Sequence, residues 1–301
     1  MAIQSEILSN IEQKKTVRQI RWLVFWVLIS LNVVTLSIDA IFSFMPPASP
    51  SLNYGRMMFT HVLAVLLPLI IFFKIRDENS IKISLKLNKI SFKQIIVITI
   101  LAIAGQFIMA ISNIPLQMLQ EVPPMLAPRN GFEIFMAVIA IAVVPSILEE
   151  VLFRGVIFGG LEKQSTLFAA AFSTFVFAFL HPNIFNFFGY VFLGMVTVMV
   201  MLRTNSLYAA ILYHFINNLT AFIFGFAASQ TPVSVSFIIW LFLSAIVIFI
   251  VTLFIFRIVT PNAPRIKAKN TASIVLGNIL SVPIILCIVL TIVIQYFRIF
   301  V

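Results

Sequence analysis

Charge is scarce in this chain. Only 10% of its 301 residues are charged, ten of them acidic, and there is a single cysteine. A soluble domain is about a quarter charged and about half apolar. Here 61% of residues are hydrophobic, Phe alone occurs 32 times, and the mean hydropathy is +1.10. So few charges cannot give a chain of this length a water-facing surface, which excludes a soluble globular enzyme and a disordered protein. A lone cysteine, Cys287, excludes an intrachain disulfide scaffold and reads as a small buried hydrophobe.

Long hydrophobic runs are what the chain has instead. A membrane-spanning helix needs about 20 mostly apolar residues. Candidates lie near 22–44, 57–74, 94–118, 132–160, 166–182, 185–202, 206–228, 233–257 and 272–297. Proline clusters (Pro46, Pro47 and Pro50; Pro123, Pro124 and Pro128; Pro261 and Pro264) punctuate the gaps. The first run is too long for the apolar part of a signal peptide and is expected to be retained. The expected fold is therefore all-α, a polytopic transmembrane bundle of about eight to nine spans. It divides into an N-terminal region (1–125, about three spans), a core (126–228, about four) and a C-terminal region (229–301, one to two).

The net charge of +10 follows from topology rather than from binding nucleic acid. Lys14, Lys15, Arg18 and Arg21 precede the first span, and six more basic residues lie between Lys74 and Lys93. Arg154, Lys163, Arg203 and the group Arg257 to Lys269 fall on the same set of ends; only Arg56, Arg129 and Arg298 fall on the other. The positive-inside rule then places the N-terminus in the cytoplasm. The alternating segment 81–94 is expected to lie on the bilayer surface against anionic lipid.

Ionisable groups deep in a bilayer are costly and are paired or functional. The run VVPSILEEVLFRG holds Glu149, Glu150 and Arg154. Glu150 and Arg154 stand at i and i+4 and can meet on one helix face. Glu149 points roughly 100° away and is left for chemistry. Downstream, FAFLHPN supplies His181, four residues after Phe177, and LYHFINN supplies His214 and Asn218, also at i and i+4. Counted from the basic ends of their helices, Glu149, His181 and His214 lie roughly 20, 22 and 12 Å deep. One polar pocket, open to the cytoplasmic side, is expected. His61 and Asp39 are placed near the outer ends of their spans, as boundary contacts away from that pocket.

The three motifs, EExxxR, FxxxH and HxxxN, together resemble the signature of the CPBP family. That family comprises type II CAAX prenyl endopeptidases and related bacterial bacteriocin-processing or immunity (Abi) proteins. The resemblance covers about 130–225 and implies an intramembrane endopeptidase. By similarity, Glu149 is the catalytic carboxylate, His181 helps activate water, His214 and Asn218 stabilise the oxyanion, and Glu150 and Arg154 support them.

Peptide hydrolysis needs an activated water and donors for the oxyanion, and these residue types supply both. No Ser or Cys nucleophile is indicated. A metal-free, glutamate-dependent reaction with no cofactor is the preferred expectation; zinc on Glu149, His181 and His214 is the rival. The expected partners are a membrane-associated peptide or protein substrate and the lipid bilayer, with no nucleic acid. The expected location is a bacterial plasma membrane. The alternative is a non-catalytic immunity or scaffold protein of the same fold.

Overall fold

The computed structural model describes residues 2–44, 49–75, 85–117, 127–181, 183–230, 234–260, 277–278 and 280–300. Among these, nine helices follow in chain order: α1 (Ala2–Ser43), α2 (Pro50–Ile75), α3 (Phe92–Gln117), α4 (Gly131–Leu161), α5 (Thr166–Leu180), α6 (Phe187–Thr204), α7 (Leu207–Gln230), α8 (Val235–Val259) and α9 (Val282–Phe300). Seven are long and apolar enough to cross a bilayer; α5 and the apolar stretch Val282–Ile294 of α9 are shorter. The protein is a polytopic helical membrane bundle. Its 15-residue α5 rises only about 22 Å against a hydrocarbon core of about 30 Å. The end of α5 therefore lies at membrane depth.

Local sequence sets the helix boundaries. Asn130 caps α4 by accepting from the Glu133 N–H at 2.9 Å, and the Glu133 carboxylate accepts from the Arg129 N–H at 2.7 Å. This reciprocal pairing satisfies N–H groups that no turn of helix can reach. Ser165 and Ser234 cap α5 and α8 in the same way. Asn205, at φ 50°, closes α6 in the left-handed conformation that Asn tolerates.

Helix α4 is irregular. Two stretches, Ile139–Val143 and Val151–Phe158, are wound as π-helix, and the short α-segment Val144–Glu150 lies between them. Pro145 has no N–H to return to the carbonyl of Ile141, four residues earlier. The Asn218 amide on α7 donates to that carbonyl at 3.2 Å. The carboxylate pair thus ends a segment whose backbone register is shifted on both sides.

Within the alternating segment 81–94, residues 81–84 lie outside the described residues and 92–94 open α3. Residues 86–88 are bonded to the turn between α6 and α7. Leu87 pairs with Ser206, the Leu207 N–H donates to the Lys86 carbonyl at 2.9 Å, and the Asn88 amide donates to the Asn205 carbonyl at 2.7 Å. The Lys86 ammonium meets Glu162 at 2.7 Å. The open backbone groups of the left-handed turn at Asn205 take this segment as a partner.

Helix α1 packs on α2 and α9, α3 on α7 and α8, and α5 on α6 and the second half of α4; α2 and α7 both pack on the first half of α4. Apolar residues on α8, such as Val235, Trp240 and Ile258, stay exposed as a surface facing hydrocarbon requires. At the α3–α7 crossing, a Cβ on Gly105 would meet the buried Tyr213 hydroxyl and the Phe249 ring. Gly105→Leu is expected to separate these helices and lower stability by about 1–3 kcal/mol, read as an earlier thermal unfolding transition in detergent.

Candidate active site

Glu150 and Arg154 meet as their spacing requires. Arg154 Nη1 donates to Glu150 Oε1 at 3.0 Å, and both side chains are wholly buried. Arg154 Nη2 donates to the Gly194 carbonyl at 3.1 Å and to Thr197 Oγ1 at 2.7 Å on α6. The guanidinium lies 4.7 Å from the centre of the Phe177 ring on α5. One buried cation therefore ties α4 to α5 and α6, and each contact replaces part of its lost hydration.

Glu149 points the other way and meets histidines. His181 Nε2 lies 3.8 Å and His214 Nε2 4.0 Å from Glu149 Oε2. These distances suit a bridging water better than a direct bond. The far nitrogens of both rings are engaged: His181 Nδ1 is 2.7 Å from the Phe177 carbonyl, and His214 Nδ1 is 2.8 Å from Glu150 Oε1. A carbonyl or a carboxylate only accepts, so each Nδ1 carries a proton and donates. Nε2 of each ring is then the nitrogen that faces Glu149.

His181 reaches this place because α5 stops there. A residue before proline is pushed out of the α region, and His181, before Pro182, has φ −77° and ψ 134°. Its ring stacks on Tyr190 with centroids 3.9 Å apart. The Phe177 ring packs edge-on against Phe153 and His214.

His61 must be reassigned. Its Nε2 lies 3.0 Å from Glu149 Oε1, inside the pocket rather than at the boundary. Helix α2 begins at Pro50, seven residues before the run read from hydropathy. His61 therefore sits eleven residues into the helix, about 16 Å from its outer end. Asp39 does make a boundary contact, pairing with Arg56 at 3.1 Å. Asn218 gives one amide N–H to Ile141 and keeps the second for other partners. Sequence placed His61 away from the site and did not single out three other residues that support it: Tyr190, Gly194 and Thr197. Only His61 carries a sequence signal, an imidazole within an apolar helix. Among the described residues, no three or more His, Cys, Asp or Glu side chains are arranged to hold a metal ion.

Arg154→Ala leaves Glu150 buried with its cation gone, an expected loss of about 3–5 kcal/mol. The double variant Arg154→Met with Glu150→Gln removes both charges and is expected to unfold later than Arg154→Ala, checked by thermal denaturation in one detergent.

Residues 131–220 match the family model described as Rce1-like, type II CAAX prenyl endopeptidase. That region runs from the first residue of α4 into α7 and holds every motif residue of the pocket, but not His61. No curated protein and no solved structure matches the chain. Over the matched region, this multi-pass membrane protein is similar to the type II CAAX prenyl endopeptidases, proteases that act on peptide substrates.

Proposed function

We propose that the protein is an intramembrane endopeptidase that hydrolyses a peptide bond in a membrane-associated peptide or protein, using Glu149 as its base and no metal. One observation carries this reading: the two histidines facing Glu149 Oε2 have different partners behind them. His181 is backed by a neutral carbonyl and His214 by a carboxylate. With Nδ1–H held by Phe177, neutral His181 offers a lone pair at Nε2. With Glu150 behind it, a doubly protonated His214 has a counter-charge and can donate from Nε2.

A water donating to Glu149 Oε2 and His181 Nε2 is aimed by two acceptors. As its oxygen attacks the scissile carbonyl carbon, one proton passes to Glu149. The oxyanion takes hydrogen bonds from His214 Nε2–H and the second N–H of Asn218. Collapse of the tetrahedral intermediate breaks the C–N bond, and Glu149 hands its proton to the leaving amine. The products are one carboxylic acid and one amine, and Glu149 is again ionised. Residues 126–228 form the catalytic core in this reading, flanked by 1–125 and 229–301. The membrane is proposed to be a bacterial plasma membrane with the basic loops in the cytoplasm.

The test uses full-length protein in proteoliposomes and an internally quenched farnesylated peptide ending in a CAAX sequence. Wild type is expected to cleave it, and Glu149→Gln to cleave at least about 100-fold more slowly while folded. Full activity in that variant removes Glu149 as the base. No cleavage by wild type favours the immunity or scaffold reading. Activity is expected to survive exhaustive chelation; a loss restored by added zinc would overturn the metal-free mechanism.

A further inference from the structure

The matched region supplies two of the three side chains that approach Glu149 or its partner carboxylate from other helices, His181 and His214, and His61 comes from outside it. A buried carboxylate accepts only, and its ionised form needs donors. At Oε2, the facing nitrogens of His181 and His214 stand 3.8 and 4.0 Å away, beyond direct hydrogen-bond reach. At Oε1, His61 Nε2 stands at 3.0 Å. A bare ring nitrogen and a carboxylate oxygen repel at that separation, so Nε2 of His61 carries a proton.

The two oxygens of Glu149 are therefore unlike. Oε1 has His61 Nε2 at ion-pair distance, although the contact lacks the geometry of a well-formed hydrogen bond; Oε2 has no partner so close and faces His181 and His214. The Glu149 side chain is 8% exposed, beneath the half-open rings of His61 and His181 at 23% and 20%. Both α2 and α4 are held together along this stretch, which fixes the ring against the carboxylate.

We infer that His61 is a positioning residue for the proposed hydrolysis. Its Nε2–H holds Glu149 Oε1, which keeps the carboxylate ionised and turns Oε2 towards the water shared with His181. This rests on Glu149 acting as the base. It makes α2 part of the site, so that the region resembling the endopeptidases is incomplete without the N-terminal helices. His61 touches neither water nor substrate in this role and acts through Glu149 alone.

Two variants separate holding from proton delivery. His61→Gln keeps an N–H near the same reach; His61→Leu keeps bulk and loses the donor. With the quenched farnesylated CAAX peptide in proteoliposomes, His61→Leu is expected to lower kcat about 100-fold with KM within about threefold. His61→Gln should retain at least about a tenth of wild-type kcat. Equal loss of kcat in both variants overturns the inference, because a proton carrier and not a holder is then required. A second readout is independent of cleavage. His61→Leu should lower Tm by about 3 °C or more, and adding Glu149→Gln should recover part of that shift, because the orphaned charge is then gone. Additive Tm shifts mean that the two side chains are uncoupled and overturn the inference. Coupled Tm values with no cleavage by wild type would overturn the endopeptidase reading and leave the His61–Glu149 pair standing.

Discussion

Two adjacent carboxylates in an apolar bundle are the constraint on which the site depends. Neither is tolerable there without a cation or hydrogen-bond donors, because hydrocarbon and packed side chains replace water. Helix α4 can supply only Arg154 from its own length. Every other partner comes from a different helix: His61 from α2, His181 from α5, His214 from α7. Arg154 in turn is completed by Gly194 and Thr197 of α6. The arrangement of four helices around α4 is the requirement of two buried charges written out in tertiary structure.

The backbone of α4 answers to the same site. An ordinary α-helix places side chains about 100° apart at fixed steps. Two π-wound stretches alter that step before and after Val144–Glu150, and such stretches are frequent at functional sites. Pro145 leaves the Ile141 carbonyl short of its helical donor, and Asn218 makes up the difference from α7. Asn218 therefore stands in two roles at once. Its amide secures the irregular backbone of α4 and remains one turn from His214 on the same helix face.

Local relations were legible in the sequence and long-range ones were not. Spacing of i and i+4 made the Glu150–Arg154 pair readable, and the same spacing placed Asn218 beside His214. The separation of Glu149 from Glu150 also followed from helical geometry alone. His61 was misplaced because hydropathy marks where a run becomes apolar, not where backbone bonding begins. The polar opening of α2, PSLNYGR, is helical although it is not hydrophobic. Gly194, Thr197 and Tyr190 carry no local pattern, since they matter only through what another helix brings to them. Segment 85–91 shows the limit of alternation. Apolar–polar periodicity does not show that the segment bonds to the free groups of the α6–α7 turn, which lie far away in sequence.

The FxxxH motif gains a physical meaning from these contacts. Phe177 is four residues before His181, so its carbonyl is the one that the end of α5 leaves within reach of the imidazole. Because helix bonding stops at His181, that carbonyl takes the ring N–H. The aromatic ring of the same residue lies under the Arg154 guanidinium, at a distance where a desolvated cation–π contact contributes about 2 kcal/mol. Its edge meets the His214 ring. One residue thus fixes the tautomer of the second motif, supports the cation of the first and packs on the histidine of the third. A smaller apolar residue would keep the carbonyl and lose the other two contacts. The three motifs are one packed object, held together by this one side chain.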